Sequence, residues 1–141
     1  MSQSLYTFPT ETTQKLRKFR LSSARAKEME AQIYSIDPKT YEIKYQEPEN
    51  EPVLNSIESL VEELPENTPR FIVLSYPYTS SDGRLMNPLV FVYYRPSTSK
   101  QESKMLYAGC LEQFKDKISA NKFIEIDDEE DFEELADHIK K

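Results

Sequence analysis

The chain has 141 residues, which fits one domain with a substantial core, and its 38% hydrophobic and 30% charged residues are not the composition of a disordered chain. No apolar run approaches the roughly eighteen residues of a membrane span, and Met1-Ser2-Gln3-Ser4 lacks the basic and apolar character of a signal peptide, so a soluble, cytosolic protein is expected. The net charge of −7 speaks against a broad nucleic-acid footprint, and the single cysteine, Cys110, cannot form an internal disulfide.

Residues 1–9 read as a flexible N-terminus. Pro9 and Thr10 make a helix start, with Thr10 placed to cap it, and Leu16 and Phe19 lie one turn apart on the helix that follows. The rest of that segment is polar and basic. Six basic residues and no acidic one lie between Lys15 and Lys27. Stretches 31–36 and 41–45 flank Asp37-Pro38-Lys39-Thr40, a connection built from turn formers. Tyr41, Ile43 and Tyr45 alternate with Glu42, Lys44 and Gln46, the pattern of a strand with one buried face. The acidic, proline-bearing stretch 47–56 has little to bury and is expected to be a mobile loop. Ile57, Leu60, Val61 and Leu64 then repeat at helical spacing until Pro65 stops them.

Arg70-Phe71-Ile72-Val73-Leu74-Ser75-Tyr76 and Leu89-Val90-Phe91-Val92-Tyr93-Tyr94 are apolar on consecutive positions. That marks strands in the middle of a sheet covered on both faces. They are joined through a turn at Ser81-Asp82-Gly83-Arg84, where Gly83 supplies a positive φ. A long helix entered through Pro96 carries Tyr107, Cys110, Leu111, Phe114 and Ile118 as its inner stripe. At roughly 100° per residue, Met105 lies about 160° away from Tyr107 and so faces outward, flanked by Lys100 and Lys104. Lys122-Phe123-Ile124-Glu125-Ile126 offers a fifth strand. A last helix would start near the acidic cluster, where nine acidic residues and no basic one lie between Glu125 and Asp137, and turn Phe132, Leu135, Ala136 and Ile139 inward.

Chemistry is sparse. The lone histidine, His138, sits near the end of a terminal helix; there is no zinc-type cluster, and two glycines cannot build a phosphate loop. The acidic run 127–131 lacks the glycine and ligand spacing of a calcium loop, and no carboxylate pair stands in an acid and base context. No catalytic residue, metal or cofactor is expected. A binding protein is expected rather than an enzyme, with the two charge runs as its polar surfaces.

The ordered combination of Lys15-Leu16-Arg17-Lys18-Phe19-Arg20, Glu63-Leu64-Pro65-Glu66, Pro69-Arg70-Phe71-Ile72-Val73, Asp82-Gly83-Arg84, Pro88-Leu89 and Met105-Leu106-Tyr107-Ala108-Gly109 resembles the glia maturation factors, a branch of the actin-depolymerising factor homology family. The resemblance spans nearly the whole chain. The run Lys104 to Ala108 is shared with the cofilin branch. The resemblance implies a mixed α and β fold, α+β in class, with a central mixed sheet of five to six strands sandwiched between helices. It also implies binding to the actin-related protein 2/3 complex, inhibition of its actin nucleation and debranching of branched networks, by a monomer located in the cytoplasm at cortical and endocytic actin, with nuclear presence left open.

By the same resemblance, Lys104 and Met105 match the helix positions that enter an actin-type groove, with Lys100, Arg20 and Arg25 bordering that surface. Asp82, Arg84 and Glu134 belong to a second surface linked to debranching, and Ser2 is a candidate phosphorylation site. Two other readings compete: cofilin-like binding and severing of actin, with at most weak actin affinity expected, and a phosphoinositide-regulated adaptor using the basic segment. The chain departs from the family pattern at Cys110-Leu111, where a small and basic pair is common.

Overall fold

Strands β1 (Glu30–Ile36), β2 (Ile43–Gln46), β3 (Arg70–Ser75), β6 (Leu89–Tyr94) and β7 (Lys122–Ile126) form one mixed sheet in the order β2-β1-β3-β6-β7. The computed structural model describes residues 5–50 and 53–140. All pairings are antiparallel except β6 with β7, which is parallel and is spanned by helix α3 (Gln101–Ile118), as a parallel crossover requires. The central strands β3 and β6 run in continuous register from Arg70 opposite Tyr94 to Ser75 opposite Leu89. Their consecutive apolar residues serve two cores. Phe71, Val73, Phe91 and Tyr93 face α1 (Thr10–Ser23) and α3. Ile72, Leu74, Val90, Val92 and Tyr94 face α2 (Ile57–Glu62) and the C-terminal helical segment.

The expected mixed fold is therefore present, with local corrections. Pro9, not Thr10, occupies the N-cap of α1, and Thr10 is already helical. A proline there gives up an amide that the first turn could not have bonded. The second strand begins at Ile43 because Tyr41 takes a positive φ of 61° at the end of the turn. Asp37 holds that turn by accepting from the backbone amides of Lys39 at 2.8 Å and Thr40 at 3.4 Å. Between β3 and β6 the chain makes a small second sheet from β4 (Tyr78–Thr79) and β5 (Leu85–Met86), with Gly83 at φ 87° in its tip. The long helix starts at Gln101 rather than at Pro96, after a turn in which Ser99 donates to the Pro96 carbonyl.

The last helix begins as a 3-10 turn, Glu129–Glu134, and becomes α-helical only over α4 (Leu135–Lys140). Phe132, Leu135 and Ile139 are buried there as expected, while Ala136 is half-buried. Of the stretch expected to be a flexible N-terminus, Thr7 is bonded to the edge of the sheet. Its amide donates to the Tyr41 carbonyl and its carbonyl accepts from Ile43. Of the stretch expected to be a mobile loop, residues 51 and 52 lie outside the described residues, and the Glu63 carboxylate accepts from the amides of Glu49 and Asn50.

Candidate functional site

The inner stripe of α3 is set by Tyr107, Cys110, Phe114 and Ile118, all buried, with Leu111 half-buried at its margin. Tyr107 locks the helix to the sheet: its hydroxyl accepts from the backbone amide of Ile36 at 3.0 Å and from Arg70 Nη1 at 3.2 Å. Arg70 continues to Gln46, and Gln46 to the carbonyl of Glu63. Burial pushes the Tyr107 hydroxyl up, against the opposing pull of Arg70. The same burial pushes the Cys110 thiol up to about 12, which suits a core side chain and not a nucleophile.

With that stripe pinned inward, Met105 stands 65% exposed. It forms a ridge between two shallow grooves. One, of about 420 Å³, is lined by Arg95, Ser97, Gln101, Lys104, Ala108 and Asp127. The other, of about 470 Å³, is lined by Leu5, Tyr6, Pro38, Tyr41, Glu102 and Leu106. Arg95 is engaged by Asp127 at 3.2 Å and Glu125 at 3.5 Å, so Lys104 is the cation of the first groove without a carboxylate partner among the described residues. Lys100 is exposed at the N-cap of the helix.

Sequence reasoning missed what lies on the other side of Met105. Tyr6 lies against α3: its hydroxyl donates to the Leu106 carbonyl at 2.7 Å, and its ring packs on Tyr41. Gly109 makes room for it, since a Cβ there would collide with the Tyr6 hydroxyl. This places Leu5, 74% exposed, beside Met105. The signal available in the sequence was a glycine two residues beyond Tyr107, in the middle of a helix, where glycine is costly unless something must approach closely.

The other candidate residues are spread over the molecule. Arg20 lies at the opposite end of α3 from Lys104, reaching the Ser119 carbonyl at 3.5 Å, and fifteen residues of helix put about 22 Å between those ends. Arg25 is exposed in the turn after α1. Asp82 and Arg84 pair with each other at 3.0 Å on the tip of the β4 and β5 hairpin, and the Asp82 carboxyl is held low by its bonds from Ser80 and Arg84. Glu134 faces solvent and lies 3.8 Å from His138. Lys140, at the end of α4, lies over the ring of Tyr76 at the root of that hairpin, so these two elements share one side of the sheet. Ser2 lies outside the described residues.

This architecture, a long helix with an inward aromatic stripe and an outward Lys-Met pair over a mixed five-stranded sheet, can be set beside known proteins. The model of the cofilin/tropomyosin-type actin-binding proteins matches residues 6–140. Protein AIM7 of Saccharomyces cerevisiae is 41% identical, with 97% of each chain covered. Glia maturation factor beta of Rattus norvegicus is 37% identical over 95% of this chain and 92% of its own. The chain belongs to the glia maturation factor branch of the actin-depolymerising factor homology family. The solution structure of glia maturation factor from Caenorhabditis elegans, 35% identical, superposes with a TM-score of 0.76 over 97% of both chains. The family whose model matches is described as actin-binding. No helix among the described residues is long and apolar enough to cross a membrane.

Proposed function

We propose that this glia maturation factor homologue binds the actin-related protein 2/3 complex, inhibits its nucleation of actin filaments and promotes debranching. The reading rests on one observation above all: Met105 is left outside by a helix whose other large apolar residues are buried or half-buried, and it stands next to Lys104 between two grooves. An unbranched, polarizable side chain in that position fills an apolar groove of a partner, while Lys100 and Lys104 pair with acids at its rim and fix orientation. Arg20, on α1, and Arg25, in the turn after it, add positive charge toward the far end of α3. Asp82, Arg84 and Glu134, on the hairpin and the C-terminal segment, form a second contact that acts on the branch.

No bond is made or broken in this mechanism, and the chain acts as a binding protein, not an enzyme. It releases branches by binding one arrangement of the complex better than the branched junction, since a ligand shifts an equilibrium only through differential affinity. Its place of action is branched actin in the cytoplasm. The test is a paired assay of the purified chain: association with the actin-related protein 2/3 complex, and co-sedimentation with actin filaments. Binding to the complex without binding to filaments is expected. Filament binding in the absence of complex binding would replace this reading with a cofilin-like one.

A further inference from the structure

The cations of α1 lead to a second site. Where α1 and α3 run out over the sheet they leave a narrow cleft of about 270 Å³, whose floor includes Leu16, Val73 and Ile118, all buried. Arg17, Arg20 and Lys117, all exposed, stand at its mouth. No carboxylate lines the cleft, and none pairs with these three cations among the described residues. In a chain of net charge −7, this cleft is lined by three cations and no acid. Its acids cluster instead around the 3-10 turn and α4, on the opposite side of the sheet.

We infer that this cleft docks an acidic peptide segment carrying one large apolar side chain. The apolar group enters the floor between Leu16, Val73 and Ile118, and flanking carboxylates pair with Arg17, Arg20 and Lys117. Charge complementarity selects the acidic segment, and the apolar floor selects a peptide over a phosphorylated lipid headgroup, which has nothing to place there. Arg17 and Arg20 lie one helical turn apart and Lys117 comes from a different helix, so the three cations frame the entrance from two sides. The site lies about 18 Å along α3 from Met105, twelve residues away; it shares Arg20 with the positive surface of the proposed actin-type contact and otherwise goes beyond that contact.

The test uses the full chain, isotope-labelled on methyl groups, titrated with the capped peptide Glu-Asp-Glu-Phe-Asp-Glu and with its analogue carrying alanine for phenylalanine. No actin-related protein is present, so the result is independent of the proposed function. Saturable shifts at Leu16, Val73 and Ile118 are expected with the first peptide. Binding should be weaker by about tenfold or more with the alanine analogue, and likewise in the double variant Arg17→Glu, Lys117→Glu. Both substitutions are at exposed positions, and the double variant Lys39→Glu, Lys140→Glu, at exposed positions outside the lining of the cleft, is the control of equal net charge. Equal binding of the two peptides, shifts confined to surface residues of α1, or an equal loss in the Lys39→Glu, Lys140→Glu control would overturn the inference. So would phosphoinositide-containing vesicles that move these same methyls when the peptide does not.

Discussion

At the scale of single residues, the outward face of α3 depends on one side chain being in an unusual place for its type. Met105 was legible in the sequence because helical spacing alone assigns it an angle, and the buried stripe from Tyr107 to Ile118 fixes which side is inward. Leu5 was not legible, because its position depends on Tyr6 meeting Leu106 and Gly109 a hundred residues later in the chain. Replacing both Lys104 and Met105 by alanine should weaken binding to the actin-related protein 2/3 complex by about 2–4 kcal/mol, as loss of a central anchor commonly does. Exposed Met105 contributes little to the core, so the variant should unfold within about 0.5 kcal/mol of the parent, as surface substitutions usually do. Calorimetric binding together with urea unfolding measures both. Unchanged affinity in the folded variant would remove this face from the mechanism.

At the scale of elements, the order of helices and strands was largely legible because each long element carries a readable pattern: a period of two for Tyr41 to Tyr45, of three to four for the long helix, and an unbroken apolar run for the doubly buried β3 and β6. What escaped were short elements held by specific contacts. The β4 and β5 pair has only two residues in each strand, and the 3-10 turn before α4 buries just Phe132 in its acidic sequence. Neither produces a countable repeat. The polar link between α3 and the sheet was equally invisible, since Tyr107 reads as one more apolar stripe position. Removing its hydroxyl tests that link. Tyr107→Phe strips the buried Ile36 amide of its acceptor and leaves Arg70 with only Gln46 and the Pro69 carbonyl, so a loss of about 1–3 kcal/mol is expected in urea unfolding. Tyr34→Phe, which breaks only a bond to the Gln32 side chain, should cost less, about 0.5–1.5 kcal/mol. Equal losses in the two variants would show that the link adds nothing to the anchoring of α3.

At the scale of the whole molecule, one sheet separates two cores and, with them, two kinds of surface. The α1 side gathers the basic residues and the exposed methionine, and the opposite side gathers the acids of the C-terminal segment. The charge runs were plain in the sequence, but their assignment to opposite faces follows from topology, which no local pattern encodes. Packing aromatic rings into both cores, and the one thiol into the core on the α1 and α3 side, also sets how stability responds to pH. Burial raises Cys110 from its ordinary value near 9 to about 12, and raises Tyr34, Tyr93, Tyr94 and Tyr107 above theirs. For such acids the unfolded chain loses its proton first. Their contribution is therefore fully present below the unfolded value and is lost as pH rises toward the folded one, at about 1.4 kcal/mol per pH unit for each group. The urea midpoint should decline with Cys110 alone between about pH 9 and 10, then more steeply as the tyrosines join above about pH 10. Cys110→Ala, less stable overall because of the cavity it creates, should lose the first part of that decline and keep the second. A parent midpoint that stays level to about pH 11 would mean that these groups meet water in the folded protein as freely as in the unfolded one, and that the two cores are not closed.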